Sequence, residues 1–474
     1  MKMYVAGEWS EGHGVFEVRN PENLDILDVV PFASDSDVER AIDFAHNVGA
    51  PAARRVPTYR RADVLRSVSI LLEERFDSFA TSIASEGIKT IKEARREVTR
   101  AIQTLSFCAD HAGAVGHDSI TFDRQPHGSG RTGYVMREPI GVVLAITPFN
   151  DPLNLVAHKV GPAIASGNAV LLKPHSATPL TSLMLAQCFE EAGLPAGQLQ
   201  VLTGPGRTVG SAMVSDERIN MITFTGGYAT GTSIAKAAGV KKLAMELGSN
   251  AATILLRDAD LSLAIPDCLS GAYWAAGQNC LHVQRLIVET PIYEEVRERF
   301  VDGSRHIVTG SKLDETTDMG PLINRAAIER VNQMVYAATE RGARVLTGGE
   351  HAGSFYRPTV IENTRSDDSL CREEVYGPVT VIQRADDFDH AIHLANDSHY
   401  GLQAGIFTKN LDYALRASTD LKCGTVVING STDFRVDTAP FGGRNRSGIG
   451  REGVEASVRE MSETKVVCFN TGTD

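Results

Sequence analysis

GVVLAITPFN at residues 141–150 is followed along the chain by AVLLKPHS at 169–176, QVLTGPG at 200–206 and MITFTGG at 221–227. Each is a short apolar run that breaks into a turn rich in glycine, proline or hydroxyl residues, and helical segments separate them. The runs 141–146, 169–172, 200–202 and 221–224 therefore read as strands of an open parallel sheet with crossover helices. A second series of the same kind follows at 252–255, 285–289, 359–361, 379–383 and 425–428. Two α/β domains are expected, with the boundary just after Glu246.

Upstream, residues 36–49, 57–85 and 91–112 read as helices. In the last, Ala94, Val98, Ile102, Leu105, Ala109 and Ala112 fall on one face at three- and four-residue spacing. The polar, glycine-rich stretch from His127 to Gly133 reads as the turn of a hairpin between 119–123 and 134–137. At 474 residues the chain is too long for one ordinary core. A hydrophobic content of 42% with 22% charged residues is that of a soluble globular protein. A net charge of −12 argues against nucleic acid or an anionic membrane as partner. The longest apolar run, 140–146, is too short to span a bilayer. Residues 1–10 show no basic region followed by an apolar stretch. The seven cysteines have neither metal spacing nor a paired framework. Together these suggest a cytoplasmic chain with free thiols and no metal centre.

Three turns bear on cofactor binding. The strand at 169–172 ends in Lys173-Pro174-His175-Ser176. That at 200–202 runs through Thr203-Gly204-Pro205-Gly206 into a helix carrying Gly210, and that at 221–224 through Thr225-Gly226-Gly227 into a helix carrying Gly231. Each sets a helix N-terminus at a strand's carboxyl end, where free N–H groups favour phosphate. None is a strict G-x-G-x-x-G fingerprint.

Cys280 lies in Gly277-Gln278-Asn279-Cys280, read as an open polar turn able to expose a thiolate. The other cysteines read as small buried hydrophobes. Glu246 sits between Leu243–Met245 and Leu247-Gly248, a setting for a partly buried carboxylate with a raised pKa. Asn150 is a side-chain amide that can stabilise an oxyanion.

With these residues in view the chain resembles the aldehyde dehydrogenases that oxidise aldehydes to carboxylates. The resemblance covers essentially the whole chain. It rests on Pro148-Phe149-Asn150, Lys173-Pro174, Phe224-Thr225-Gly226, Glu246-Leu247-Gly248, Gly277-Gln278-Asn279-Cys280, Glu374-Val375-Tyr376-Gly377-Pro378 and Pro440-Phe441-Gly442-Gly443. It implies a Rossmann-like cofactor domain (1–119 and 140–247), a catalytic thiol domain (248–454) and a small β oligomerisation arm (120–139 and 455–474), in a homodimer or homotetramer. It also implies a mechanism. The Cys280 thiolate attacks the aldehyde, Asn150 and the Cys280 N–H hold the oxyanion of the thiohemiacetal, and Glu246 activates the water that hydrolyses the thioester. Lys159 and Glu452 match the positions that relay its proton. The cofactor, NAD or NADP, is expected against Ile146, Thr147, Lys173, His175, Ser176, Gly206, Arg207, Gly210, Phe224, Thr225, Gly226, Gly227, Gly231, Leu247, Gly248, Glu374 and Tyr376. Within that set Glu374 matches the nicotinamide-ribose position and Lys173 the adenosine-ribose position.

The sequence departs from the family pattern in informative places. Ser176 stands where members that prefer NAD usually carry a glutamate, which removes repulsion against a 2′-phosphate, and Arg207 is close enough in sequence to reach that phosphate. NADP acceptance is therefore expected. Gly227 replaces the usual serine after Phe224-Thr225-Gly226, and Tyr376 a phenylalanine. Around the substrate, Asp151, Asn154, His158 and Arg435 take positions that are bulky or aromatic in enzymes for fatty and aromatic aldehydes, with Phe441 completing the set. These are poor walls for an alkyl chain. Arg435 reads either as the partner of an anionic substrate group or as an ion pair with Asp433 or Asp437. The segment resembles the branch acting on lactaldehyde, phosphonoacetaldehyde and other small polar aldehydes. Two rival readings are a CoA-acylating semialdehyde dehydrogenase, which typically lacks the Glu246 carboxylate, and a non-catalytic structural homologue.

Overall fold

The computed structural model describes residues 1–113, 116 and 118–472. The first four apolar runs form the centre of an eight-stranded sheet. Leu199–Val201, Ala169–Lys173, Val142–Ile146, Met221–Thr225 and Lys242–Glu246 lie side by side in that order, all parallel. The order of strands reverses between Val142–Ile146 and Met221–Thr225, which opens a crevice at their carboxyl ends. Antiparallel strands at Met3–Val5, Glu8–Ser10 and Gly448–Ile449 close the two edges. Helices cover both faces. Ile91–His111, Asn154–Ala165 and Leu180–Glu191 bury their apolar sides in one core, and Asp35–Phe44 and Tyr228–Ala237 in the other.

The second series forms a seven-stranded sheet, ordered Arg344–Thr347, Thr359–Glu362, Val379–Ala385, Arg285–Glu289, Ala252–Leu255, Gln403–Phe407, Thr425–Ile428. All its pairs are parallel except the one made by Arg344–Thr347. Gln403–Phe407 was not expected as a strand. Gly405 interrupts its apolar pattern, and the backbone of Gly430 and Ser431 passes where a side chain would stand.

Other expectations need correction. The helix expected over 57–85 breaks at Arg75 into Thr58–Glu74 and Phe76–Glu86. The break turns Phe79, Ala80 and Ile83 into the core that Leu65, Val68 and Leu72 already line. The segment from 455 onward was expected to be arm, but Val454–Glu460 is a helix whose Val454 and Val458, with Met461 beyond it, enter the first core. Spacing of four and three residues faces these side chains one way. The arm itself is three strands, Asp118–Ser119, Arg131–Pro139 and Ser462–Asn470, so the outer strand of the expected hairpin is shorter than the sequence indicated. The ranges 1–119 and 455–474 include residues 114, 115, 117, 473 and 474, which lie outside the described residues. Among the described residues no helix is long and apolar enough to cross a membrane.

Candidate active site

A cavity of about 680 Å³ opens at the switch point of the first sheet and runs to the loop carrying Cys280. At the crevice it is lined by Ile146, Thr147, Phe224, Thr225, Gly226 and Gly227. The Thr147 and Thr225 hydroxyls are buried there with no hydrogen-bond partner among the described residues. Where a Cβ would stand at Gly206 and Gly227 there is open space. Orphaned donors and bare backbone at the carboxyl ends of parallel strands fit a dinucleotide. Lys173, His175 and Ser176 line the same end. Burial pushes the Lys173 ammonium down to about 8 and the His175 imidazole down to about 4. The Ser176 hydroxyl donates to the Gly204 carbonyl at 2.8 Å. Arg207 is exposed beside Gly206 and has no ion-pair partner among the described residues. Gly210 and Gly231 do not reach the cavity, and Gly231 instead leaves room for Leu247.

Toward the second domain the cavity meets Leu247, Gly248, Glu374 and Tyr376. The Ser249 N–H donates to Glu374 Oε1 at 2.9 Å, and any side chain at Gly248 would run into the same carboxylate. Burial pushes Glu374 up to about 7. Arg330 donates to the carbonyls of Glu374 and Tyr376, at 3.1 and 3.3 Å, and so fixes this strand of wall.

The turn before Cys280 is not the open polar loop that its composition suggested. Gln278 and Asn279 are buried, and the Gln278 amide bonds Pro321 O and Ile323 N at 3.1 and 3.0 Å. Ala275, Ala276 and Gly277 are successive left-handed residues, with φ of 51°, 52° and 67°. Two of them carry side chains and are strained in that region, at roughly 1–2 kcal/mol each. Glu93, a buried carboxylate of the first domain, holds the turn by accepting the Ala275 N–H at 2.8 Å. Cys280 itself is half-buried and lines the cavity. Burial pushes its thiol well up, and the Arg435 guanidinium works in the opposite direction.

Asn150 and Glu246 line the cavity with Cys280. Asn150 Oδ1 and Glu246 Oε2 are buried without partners among the described residues. Glu246 is the last residue of its strand, and burial followed by the nearby Glu452 holds its carboxyl well above the usual range. Lys159 Nζ donates to Glu452 Oε2 at 3.1 Å and to the Thr223 hydroxyl at 3.2 Å. Arg435 donates to Glu452 Oε1 at 2.7 Å. Burial alone would raise Glu452, yet Lys159 and Arg435 together hold it below the carboxylate range. Glu246 and Glu452 also line a second, very small cavity of about 10 Å³ that reaches Lys159. The described residues thus connect Glu246 to a buried ionised carboxylate and a lysine.

The substrate walls differ from expectation in three respects. Arg435 pairs with Glu452, not with Asp433 or Asp437, and lies 4.1 Å from the centre of the Phe441 ring. Asn154 and His158 are fully buried behind the wall. Asn154 accepts from the Thr104 hydroxyl at 2.9 Å, and His158 Nε2 lies 2.8 Å from Asp437 Oδ1. Both side chains are turned to protein partners, Thr104 of Ile91–His111 and Asp437, and neither lines the cavity. Asp151 does line the cavity, but its charge is met by buried Lys89, which also donates to Glu97 at 2.9 Å. The sequence reading missed Arg96, Arg100, Trp274 and Asp433 on the same walls. Arg96 and Arg100 are one turn apart on Ile91–His111, opposite its apolar stripe. Their spacing was legible, but what that face looks onto was not.

A dinucleotide crevice that ends on a thiol, an amide and a buried carboxylate defines an oxidoreductase working through a cysteine adduct. Residues 9–467 match the aldehyde dehydrogenase family, and the chain belongs to it. It is 44% identical over 454 residues to aspartate-semialdehyde dehydrogenase 1 of Pseudomonas canavaninivorans, covering 96% of each chain. It is 40% identical to 3-sulfolactaldehyde dehydrogenase of Priestia aryabhattai, covering 99% of this chain and 98% of that one. Its structure superposes with a TM-score of 0.92, at 37% identity, on glyceraldehyde-3-phosphate dehydrogenase GapN of Methanocaldococcus jannaschii complexed with NADP, over 96% of this chain and 99% of that one. The protein is an NAD(P)-dependent aldehyde dehydrogenase.

Proposed function

We propose that the protein oxidises a small anionic aldehyde to its carboxylic acid. The observation that carries this is the wall facing Cys280. Three guanidiniums, Arg96, Arg100 and Arg435, line the cavity with Cys280, and of the two aspartates there Asp151 is already paired with Lys89 while Asp433 has no ion pair among the described residues. Arg100 is bound to Asp437 through two nitrogens, at 2.7 and 3.2 Å, and Arg435 to Glu452. Arg96 has no carboxylate partner among the described residues and lies 5.4 Å from the centre of the Trp274 ring. It is the guanidinium free to take a substrate anion, with Arg100 adding to the local potential. The names of the two relatives, which act on a semialdehyde bearing a carboxylate and an aldehyde bearing a sulfonate, support the same reading.

In the proposed reaction the Cys280 thiol gives up its proton to water in the cavity, and its sulfur bonds to the aldehyde carbon as the carbonyl electron pair moves onto oxygen. The Asn150 amide and the Cys280 N–H face the resulting oxyanion. A nicotinamide held against Thr147, Leu247 and Glu374 would supply the acceptor for the substrate's hydride, and the adduct on Cys280 would then be an acyl thioester. Glu246 takes a proton from water, whose oxygen bonds to the acyl carbon as the C–S bond breaks. Glu452 and Lys159 then pass the proton to the small rear cavity. Ser176 and Arg207 favour acceptance of NADP alongside NAD. We also propose the domain division at Glu246, a homo-oligomer joined through the arm, and a cytoplasmic location.

The test is a panel of aldehydes of equal length, neutral or carrying a carboxylate, phosphonate or sulfonate, run with NAD and NADP and with and without CoA. Anionic members should have the highest kcat/KM, without a need for CoA. Hexanal or benzaldehyde as best substrate would overturn the substrate reading, and dependence on CoA would favour the acylating alternative.

A further inference from the structure

We infer that Asp433 is a specificity residue that accepts a hydrogen bond from a hydroxyl or ammonium substituent on the same anionic aldehyde. The inference rests on the anionic-substrate reading and names a second group that the cavity recognises.

Asp433 lines the cavity together with Cys280 and Arg96. Its neighbours in the wall have their charges matched. Asp151 is held by Lys89, Arg100 by Asp437 and Arg435 by Glu452. The Asp433 carboxylate has no ion pair or side-chain hydrogen bond among the described residues. Only its backbone N–H is engaged, by the Ser431 hydroxyl at 3.4 Å. Its position is built: Gly271, on the helix Leu261–Tyr273, carries no side chain where the Asp433 Cβ packs. Burial raises its carboxyl to about 6, with Asp267 adding to the rise and Arg100 opposing it. Among the described residues its two carboxyl oxygens are short of donors.

The cavity thus presents a carboxylate, Asp433, and a guanidinium, Arg96, that have no ion-pair partner among the described residues. A substrate with an anion alone satisfies Arg96 and leaves Asp433 desolvated without a partner, which is unfavourable. One that also bears a donor satisfies both. The class implied is a short aldehyde with an acid group and a hydroxyl or amino group.

The experiment compares 4-oxobutanoate with its 2-hydroxy and 2-amino derivatives, and butanal with 3-hydroxybutanal, in the wild type and in Asp433→Asn, Asp433→Leu and Asp433→Glu. Wild type should favour each donor-bearing member by roughly tenfold, the size of one charge-assisted hydrogen bond. Asp433→Asn should remove most of the advantage of the amino compound while keeping part of that of the hydroxy compound, because an amide oxygen still accepts. Asp433→Leu should remove both, and Asp433→Glu should restore part of each. Equal efficiencies within the pairs in wild type, or donor preferences unchanged in Asp433→Leu, would overturn the inference. The neutral pair reads the donor without the anion. Loss of the preference of 4-oxobutanoate over butanal therefore counts against the anionic reading alone. Thermal melting and titration of the Cys280 thiol identify any variant that has misfolded, in which case Asp433→Glu and the wild-type pairs decide.

Discussion

Arg435 and Glu452 are paired at 2.7 Å on the wall of the substrate cavity, and the other oxygen of the same carboxylate takes Lys159 at 3.1 Å. A residue expected to read the substrate is thereby tied to Glu452, the group proposed to receive protons from Glu246. Removing it should act on every substrate. Arg435→Leu should raise the Glu452 pKa, slow thioester hydrolysis and lower kcat for propanal as well as for charged aldehydes. Arg96→Leu should instead lower kcat/KM for anionic substrates by about tenfold or more and leave the ratio for propanal nearer unity. The measurement is the charged-to-alkyl ratio in each variant. A selective loss in Arg435→Leu and none in Arg96→Leu would reverse the assignment.

Cys280→Ala should abolish oxidation, because no other cysteine lines the cavity. Glu246→Gln should give a burst of reduced cofactor in the first turnover and almost no steady state, since acylation survives and hydrolysis does not. Stopped-flow traces distinguish these outcomes, and full turnover in either variant would refute the roles.

The raised pKa of Glu246 sets a pH dependence. A general base works deprotonated, so hydrolysis should rise with pH through the folded-state pKa of Glu246. That pKa lies above the carboxylate range of about 4.3, because burial and Glu452 both disfavour the second charge. The acid limb of kcat, measured where hydrolysis limits, should appear well above that range. It should move higher still in Lys159→Met, which removes a cation that lowers Glu246.

Arg207 is exposed next to Gly206 of the cavity lining, has no ion-pair partner among the described residues, and does not itself line the cavity. Arg207→Ala should raise KM for NADP by about tenfold or more and change KM for NAD little, as only NADP carries the extra phosphate. Equal effects on both cofactors would remove Arg207 from that role.

Lys89 is 1% exposed and Glu97 is fully buried, so the pair sits in a low-dielectric interior. Glu97 also accepts the N–H groups of Leu153 and Asn154, at 2.8 and 3.0 Å, at the start of Asn154–Ala165. Lys89→Met should leave two acids uncompensated and cost about 3–5 kcal/mol of stability. Denaturant midpoints would show it, and a change below about 1 kcal/mol would show that the acids take up protons at little cost.

Much of the architecture was legible. The strands at 169–172 and 221–224 announce themselves because buried parallel strands are continuous apolar runs. The edge pairs and Gln403–Phe407 did not, because short strands and a glycine give too little pattern. The Cys280 loop was found but misread. Its polar residues looked solvent-facing, whereas Gln278 and Asn279 serve buried backbone groups. Polarity reveals that a residue needs partners, and only packing decides whether they are water or protein.

The sequence by itself determined the two-domain α/β plan and the family, and it singled out Cys280, Glu246 and Asn150 as candidates, because apolar periodicity and local motifs are carried by neighbours in the chain. Only the tertiary structure decided which charges are spent and which are free. Arg435 is matched by Glu452 and Asp151 by Lys89, while Arg96 and Asp433 have no ion-pair partner among the described residues. Their partners come from separate elements brought together by folding, and the strength of each charge depends on that burial and company.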